Sequence, residues 1–160
     1  MLAELTEIFA GDVIGPRPEG GGAPRIVVGG HVPQAFARTA KWGSGWIAGG
    51  ATPDQFKEMA DGVNQAWSDA GREGKPHLMG LAYFALGDGG AENAQSYLTD
   101  YYAFLGEEVA NMIAGSAALD ADTVAGYMAA FEAVGCDELV FFPCSSDPGQ
   151  VDLLAAAAGR

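Results

Sequence analysis

Ile26-Val27-Val28-Gly29-Gly30-His31-Val32-Pro33 is the stretch whose reading decides the fold. Arg25 to Gly29 is a short, nearly all-apolar run, the pattern of a strand covered on both faces in a parallel sheet. Two glycines end it directly before a helix whose first turn contains Pro33. Strand, tight turn and helix therefore follow without a linker, so free backbone N–H groups and the positive end of a helix converge on residues 29 to 32. That arrangement suits a phosphate, and it equally suits a tight turn with no ligand. The spacing matches neither the GxGxxG fingerprint nor a P-loop, which would carry a Lys-Ser/Thr pair.

Towards the C-terminus the alternation repeats. The spacing predicts a helix from Pro33 to about Trp42, with Phe36, Ala37 and Ala40 facing inward, then a strand over Gly45-Trp46-Ile47-Ala48. Thr52-Pro53-Asp54-Gln55 is a helix start: Thr52 is the N-cap, Pro53 takes the first helical position and Gln55 closes a capping box. That helix is expected to reach about Ala70 and to end at Gly71. A third strand spans His77 to Leu86, followed by a turn at Gly87-Asp88-Gly89-Gly90 and a long helical region over about Ala91 to Ala114. A helix from Asp120 to Val134, capped by Asp120 or Asp122, leads to a fourth strand over Asp137 to Phe142. A last helix covers Gln150 to Ala158. Upstream, Leu2, Leu5, Ile8 and Phe9 share one face of a helix over residues 1–11 that starts with no N-cap, and the Pro- and Gly-rich residues 12–24 form a loop.

Strand and helix alternating through short connections mean parallel strands with right-handed crossovers, hence an α/β fold in one domain, 1–160, with four β/α units over 25–160. Four units make half of an eight-stranded barrel or a small open sheet. In a barrel, functional residues lie at the C-terminal ends of strands. Here those are the loops Gly29 to Val32, Ala48 to Thr52, Leu86 to Gly90 and Phe142 to Gly149.

Composition narrows the function further. The chain carries 21 acidic and 8 basic residues, a net charge of −13, with the bases scattered, so a nucleic-acid backbone would be repelled. An anionic cofactor must then rely on local backbone donors. No run of about 18 apolar residues and no signal-peptide pattern is present, so the expected location is cytoplasmic, with no membrane partner. Cys136 and Cys144 flank the last strand, whose roughly 3.3 Å per residue holds them too far apart for a disulfide, and they read as reduced thiols. His31 sits beside the proposed phosphate and either donates to it or faces solvent. His77 enters a strand from the opposite end and reads as structural. No Cys, Asp or Glu joins the two at ligand spacing, so no metal site is expected. Pro143-Cys144-Ser145-Ser146-Asp147 either lines a substrate pocket or caps the last helix, and no Ser-His-Asp or Cys-His motif supports a hydrolase. Tyr97, Tyr101, Tyr102 and Phe104 read as packing in the core or at a subunit contact.

Taken together, Pro24 through Gly30, the Ala/Arg-bearing helix with Arg38 and Ala40, Gly43-Ser44-Gly45-Trp46-Ile47, Thr52-Pro53-Asp54-Gln55-Phe56 and Gly135-Cys136-Asp137-Glu138-Leu139-Val140 closely resemble, in order and spacing, the luciferase-like monooxygenase family. Ser44 departs from that pattern, which has Asp there. The resemblance implies the second half, strands 5 to 8, of a TIM-type barrel, and a flavin- or deazaflavin-dependent oxidoreductase or monooxygenase acting on a small organic substrate. Its cofactor would be FMN or a deazaflavin (coenzyme F420), with the phosphate end at Gly29, Gly30, His31 and Val32. The resemblance assigns no catalytic residue. It covers a chain about half the family's length, so the first four strands have no counterpart here. A different class of function is a non-catalytic half-barrel that folds as a homodimer or homo-oligomer, or with a partner half-barrel. A third is a small α/β domain that binds another phosphorylated ligand through the same turn.

Overall fold

The computed structural model describes residues 1–11, 14–16 and 23–160. Most of the expected Pro/Gly loop, residues 12, 13 and 17–22, lies outside the described residues. The elements in chain order are α1 (Leu2–Ala10), β1 (Val27–Gly29), α2 (Pro33–Trp42), β2 (Gly45–Ala48), α3 (Pro53–Asp69), β3 (His77–Phe84), α4 (Gly90–Tyr101), a short 3-10 turn (Ala103–Leu105), α5 (Glu107–Ala114), α6 (Ala121–Ala133), β4 (Glu138–Pro143) and α7 (Gln150–Ala157). The fold is α/β, with the strands in one four-stranded sheet ordered β1-β2-β3-β4. β1 pairs with β2 in parallel, Val28 opposite Trp46, and β3 with β4 in parallel, Leu81 opposite Val140.

The chain divides into two compact units, residues 1–47 with 58–78, and residues 48–57 with 79–160. In the first, Trp46, Ala35, Thr39, Ala40, Val63 and Trp67 are buried. Phe36 meets Trp46 edge-on at 5.9 Å and leaves room only for a glycine at position 62, where a Cβ would come within 3.0 Å of its ring. Arg72 closes the unit. Its guanidinium lies 3.9 Å from the centre of the Trp67 ring and donates to the carbonyls of Ala40 (2.8 Å) and Gly43 (3.2 Å). Two expectations change in this unit. Ala37 is exposed, and the inward face of α2 is Ala35, Thr39 and Ala40; Thr39 can be buried because its hydroxyl donates to Ala35 O at 3.0 Å. β1 is shorter than expected and is not covered on both faces: Val27 is 37% exposed, since β1 is an edge strand of this sheet.

In the second unit the capping box at Thr52 forms as expected, with Gln55 N–H donating to Thr52 Oγ1 (3.3 Å) and Thr52 N–H to Gln55 Oε1 (3.0 Å). Phe131 of α6 packs 5.5 Å from Phe56 and against Gly80, where a Cβ would meet its ring at 3.0 Å. Burying Phe56 and Phe84 contributes about 1.5–3 kcal/mol each. The long helical region expected over 91 to 114 is two helices, α4 and α5, because Gly106 has φ +89 and interrupts the helix. These helices cluster with the end of β3, burying Leu98, Ala94 and Ala114 against Tyr83 and Ala85. The chain then returns through Ala118, which bridges Phe84 in parallel before α6 begins. α6 is capped by Asp120, whose carboxylate accepts from Thr123 N–H at 2.7 Å. Of the aromatic set, Tyr102 packs partly buried against the cluster around Tyr83 and Leu98, whereas Tyr97 and Tyr101, stacked at 5.9 Å, are 43% and 56% exposed and Phe104 is 76% exposed, so these three are surface in the single chain.

Candidate functional site

The turn after β1 owes its shape to three features. Gly30 adopts φ +130, which side-chain-bearing residues rarely take, and a Cβ there would lie 2.9 Å from Ala35 Cβ. The backbone thus approaches the first turn of α2 as closely as glycine permits. Trp46, fully buried on the neighbouring strand, donates its indole N–H to the Gly30 carbonyl at 2.8 Å. Val32 is the N-cap of α2, extended at φ −121, and makes no side-chain cap bond.

That last feature matters chemically. A Ser, Thr or Asp N-cap would occupy the first helical donors with its own oxygen, whereas valine leaves them open. Ala35 and Phe36 N–H both donate to Val32 O. The N–H groups of His31, Val32 and Gln34 have no acceptor among the described residues. They stand at the positive end of a ten-residue helix. Arg38, one turn further on, folds back so that Nε donates to Gln34 O at 3.2 Å, bringing a cation to the same turn. His31 is exposed and Val32 is 50% exposed, so the turn is open to solvent.

The remaining singled-out residues are placed as follows. Ser44 stands at the start of β2, with its N–H and hydroxyl both on Ile26 O at 2.8 and 3.2 Å, a tie between β1 and β2 remote from the Gly-Gly turn along the strand. His77 begins β3, and its N–H donates to Ser44 O. Cys136 and Cys144 are free thiols; burial raises the pKa of both, that of Cys144 to about 11, so neither is an activated nucleophile. In the loop after β4, Asp147 accepts from Gly149 N–H at 2.9 Å and Ser145 Oγ accepts from Asp147 N–H at 3.2 Å, a turn leading into α7. Gln150, the first residue of α7, is buried and brackets Leu86, with Leu86 N–H donating to Oε1 (2.9 Å) and Nε2 donating to Leu86 O (2.8 Å). The buried Tyr83 hydroxyl lies 2.7 Å from that of Tyr102, and burial and this hydrogen bond raise its pKa well above the ordinary phenol value. Among the described residues no group of three or more His, Cys, Asp or Glu could hold a metal ion, and no helix is long and apolar enough to cross a membrane.

Trp46 and Gln150 are the contributors that motif reading passed over. Trp46 had a signal: an indole N–H in a buried strand needs an acceptor, and the nearest glycine carbonyls are those of the neighbouring turn. Gln150 had none, because its partner lies 64 residues away.

Comparison with solved structures places the chain beside several enzymes of one fold. An F420-dependent secondary alcohol dehydrogenase in complex with an F420-acetone adduct aligns with a TM-score of 0.66 at 15% identity, over 83% of this chain and 47% of that one. An EDTA monooxygenase from Chelativorans sp. BNC1 aligns with a TM-score of 0.61 at 14% identity, over 91% and 46%. A coenzyme F420 dependent tetrahydromethanopterin reductase from Methanopyrus kandleri gives 0.57 at 15%, over 81% and 48%. At these identities the likeness speaks for the fold, and the chain spans about half the length of the structures it matches. No curated protein sequence matches the chain. The luciferase-like monooxygenase family model, by contrast, matches residues 7–152, nearly the whole sequence. The chain belongs to the luciferase-like monooxygenase family.

Proposed function

We propose that the chain forms strands 5 to 8 of a luciferase-like TIM-type barrel, in an oxidoreductase or monooxygenase that uses FMN or the deazaflavin coenzyme F420. Gly29, Gly30, His31 and Val32 hold the phosphate end of that cofactor. The observation that carries this reading is the set of open N–H donors on His31, Val32 and Gln34 at the start of α2, beside a glycine that a Cβ would displace. These residues fit a phosphate group: backbone donors and a helix N-terminus bind its oxygens without a dedicated basic pocket, which suits a chain of net charge −13. Family membership and the two F420-dependent structural relatives support the cofactor class.

The cofactor, when bound, supplies the hydride or oxygen chemistry. The chain's own residues bind and orient. Trp46 fixes the Gly30 carbonyl, so the following N–H groups keep their direction, and Arg38 adds positive charge at the helix start. The test is a titration of the purified protein with FMN and with F420, followed by cofactor fluorescence. Saturable binding of either at micromolar concentration supports the reading, and no binding of either at high micromolar concentration refutes it.

A second reading, a non-catalytic half-barrel that pairs with itself or a partner, has one observation in its favour. β1 and β4 are both edge strands of this sheet, with Val27 37% and Phe142 43% exposed. Sedimentation distinguishes it: a stable monomer at micromolar concentration refutes pairing with itself.

A further inference from the structure

The charge of the chain is unevenly spread. Seven of its eight Lys and Arg fall in residues 17–75, and from residue 78 to 159 there is no Lys, Arg or His against 12 Asp and Glu. Within that acidic stretch the end of α4 and the 3-10 turn present Tyr97, Tyr101, Phe104 and Leu105 to solvent. These side chains form one surface. Tyr97 stacks on Tyr101, Tyr101 meets Tyr102 edge-on at 4.9 Å, and Tyr102 lies 6.2 Å from Phe104. Tyr102 is the half-buried member, with its hydroxyl 2.7 Å from that of the buried Tyr83 on β3. The exposed rings are thus held on a ring that is itself tied to the sheet, so little side-chain freedom is left to lose on contact. Rigid aromatic side chains gathered at one point are what the centre of a protein–protein interface uses.

Charge selects the partner. Asp100 lies between Tyr97 and Tyr101 along α4, and Glu107 and Glu108 open α5 directly after Leu105 and Gly106; all three carboxylates are on exposed residues. An acidic rim around an aromatic centre repels nucleic acid and anionic membranes, and a second copy of the chain would bring the same carboxylates against it. A protein surface of the opposite sign matches it. Arginine suits both parts, because its guanidinium pairs with a carboxylate and stacks on an exposed ring. We propose that the face formed by the end of α4, the 3-10 turn and the start of α5 docks a basic protein partner. That partner sets Arg or Lys against Asp100, Glu107 and Glu108, and an apolar side chain against Tyr101 and Phe104. Docking on this face is independent of the cofactor reading.

The probe is a fluorescently labelled amphipathic helical peptide with Arg on one face and Leu and Phe on the other, titrated with the whole chain and followed by anisotropy. Its control carries Glu in place of Arg. The expected result is saturable micromolar binding of the Arg peptide that weakens as salt is added, and no binding of the Glu peptide. Tyr101→Ser with Phe104→Ser, two exposed positions, is expected to weaken binding by about tenfold or more. Neutralising the rim, Asp100→Asn with Glu107→Gln and Glu108→Gln, is expected to weaken it by about fivefold or more. Asp122→Asn with Glu132→Gln and Asp152→Asn changes the net charge equally on α6 and α7, and is expected to leave binding within about twofold. The proposal is overturned if the Arg peptide does not bind up to about 100 μM, if the two neutralised sets weaken it equally, or if the aromatic variant binds unchanged. It is also overturned if the wild type self-associates in sedimentation and the aromatic variant is monomeric, which would assign this face to a second copy.

Discussion

Replacing Gly30 by alanine tests the phosphate turn at its most constrained atom. Two penalties add. Holding a non-glycine residue at φ +130 costs about 1–3 kcal/mol. The new Cβ also meets Ala35 Cβ at 2.9 Å, closer than such carbons pack, and Ala35 is itself completely buried, so the first turn of α2 must yield. Movement there swings the N–H groups of His31, Val32 and Gln34. Losing one hydrogen bond to a charged phosphate, about 1.5–3 kcal/mol, lowers cofactor affinity by about 10-fold to 100-fold, and losing two by about 100-fold to 10,000-fold. Gly29→Ala is the internal control. At position 29 φ is ordinary and a Cβ would stand 3.6 Å from Ile47 Cγ2, a normal contact, so the fold tolerates it. If the phosphate rides on this strand end, Gly29→Ala lowers affinity without lowering stability. Urea unfolding gives the first quantity and fluorescence titration the second. Full stability and full affinity in Gly30→Ala would refute the reasoning, because neither the backbone strain nor the close approach would then exist.

Three other outcomes follow from the same contacts. Trp46→Phe keeps the ring packing on Phe36 but removes the donor to Gly30 O, and is expected to destabilise by about 1–3 kcal/mol and to shift the His31 and Val32 amide signals; unshifted amides would contradict the tie. Gln150→Leu leaves the N–H and C=O of the 7%-exposed Leu86 without partners, and an unfolding free energy lower by about 2–6 kcal/mol is expected, with a loss under about 1 kcal/mol counting against the clamp. Asp120, lowered below the usual carboxyl pKa of 3.8 by the Thr123 N–H and hydroxyl, adds stability that is present above that value and disappears as pH falls through its lower folded one. The stability gap between wild type and Asp120→Ala therefore closes in acid; a gap constant from pH 7 to pH 2 would exclude the linkage.

Element order and most boundaries were legible because the local signals are strong. Pro33 and Pro53 start helices, the Thr52–Gln55 box closes as its spacing demands, and Gly71 and Gly135 follow helix ends at positive φ. The departures share a cause: they depend on what the chain meets in space. Val27 reads as a doubly covered strand residue, yet an edge strand leaves it exposed. Thr39 reads as a polar, outward position in α2, yet its hydroxyl is satisfied by Ala35 O at 3.0 Å and it lies buried beside Ala35 and Ala40, while Ala37 is exposed. Gly106 was one glycine within a long apolar-periodic run, and the 3-10 turn over Ala103–Leu105 together with the positive φ of Gly106 separates α4 from α5. Of the candidate site, the glycines and the helix start could be read directly. The openness of its donors comes from Val32 in the capping position, and its rigidity from the buried Trp46 on the adjacent strand.

The account stands most directly on one comparison: FMN against riboflavin, which differ only by the phosphate, titrated into the same protein while the His31, Val32 and Gln34 amide signals are followed. The account predicts that FMN binds about tenfold or more tightly than riboflavin and shifts those three amides, whereas riboflavin leaves them in place. Equal affinity for the two, or FMN binding that leaves the three amides unmoved, would contradict it.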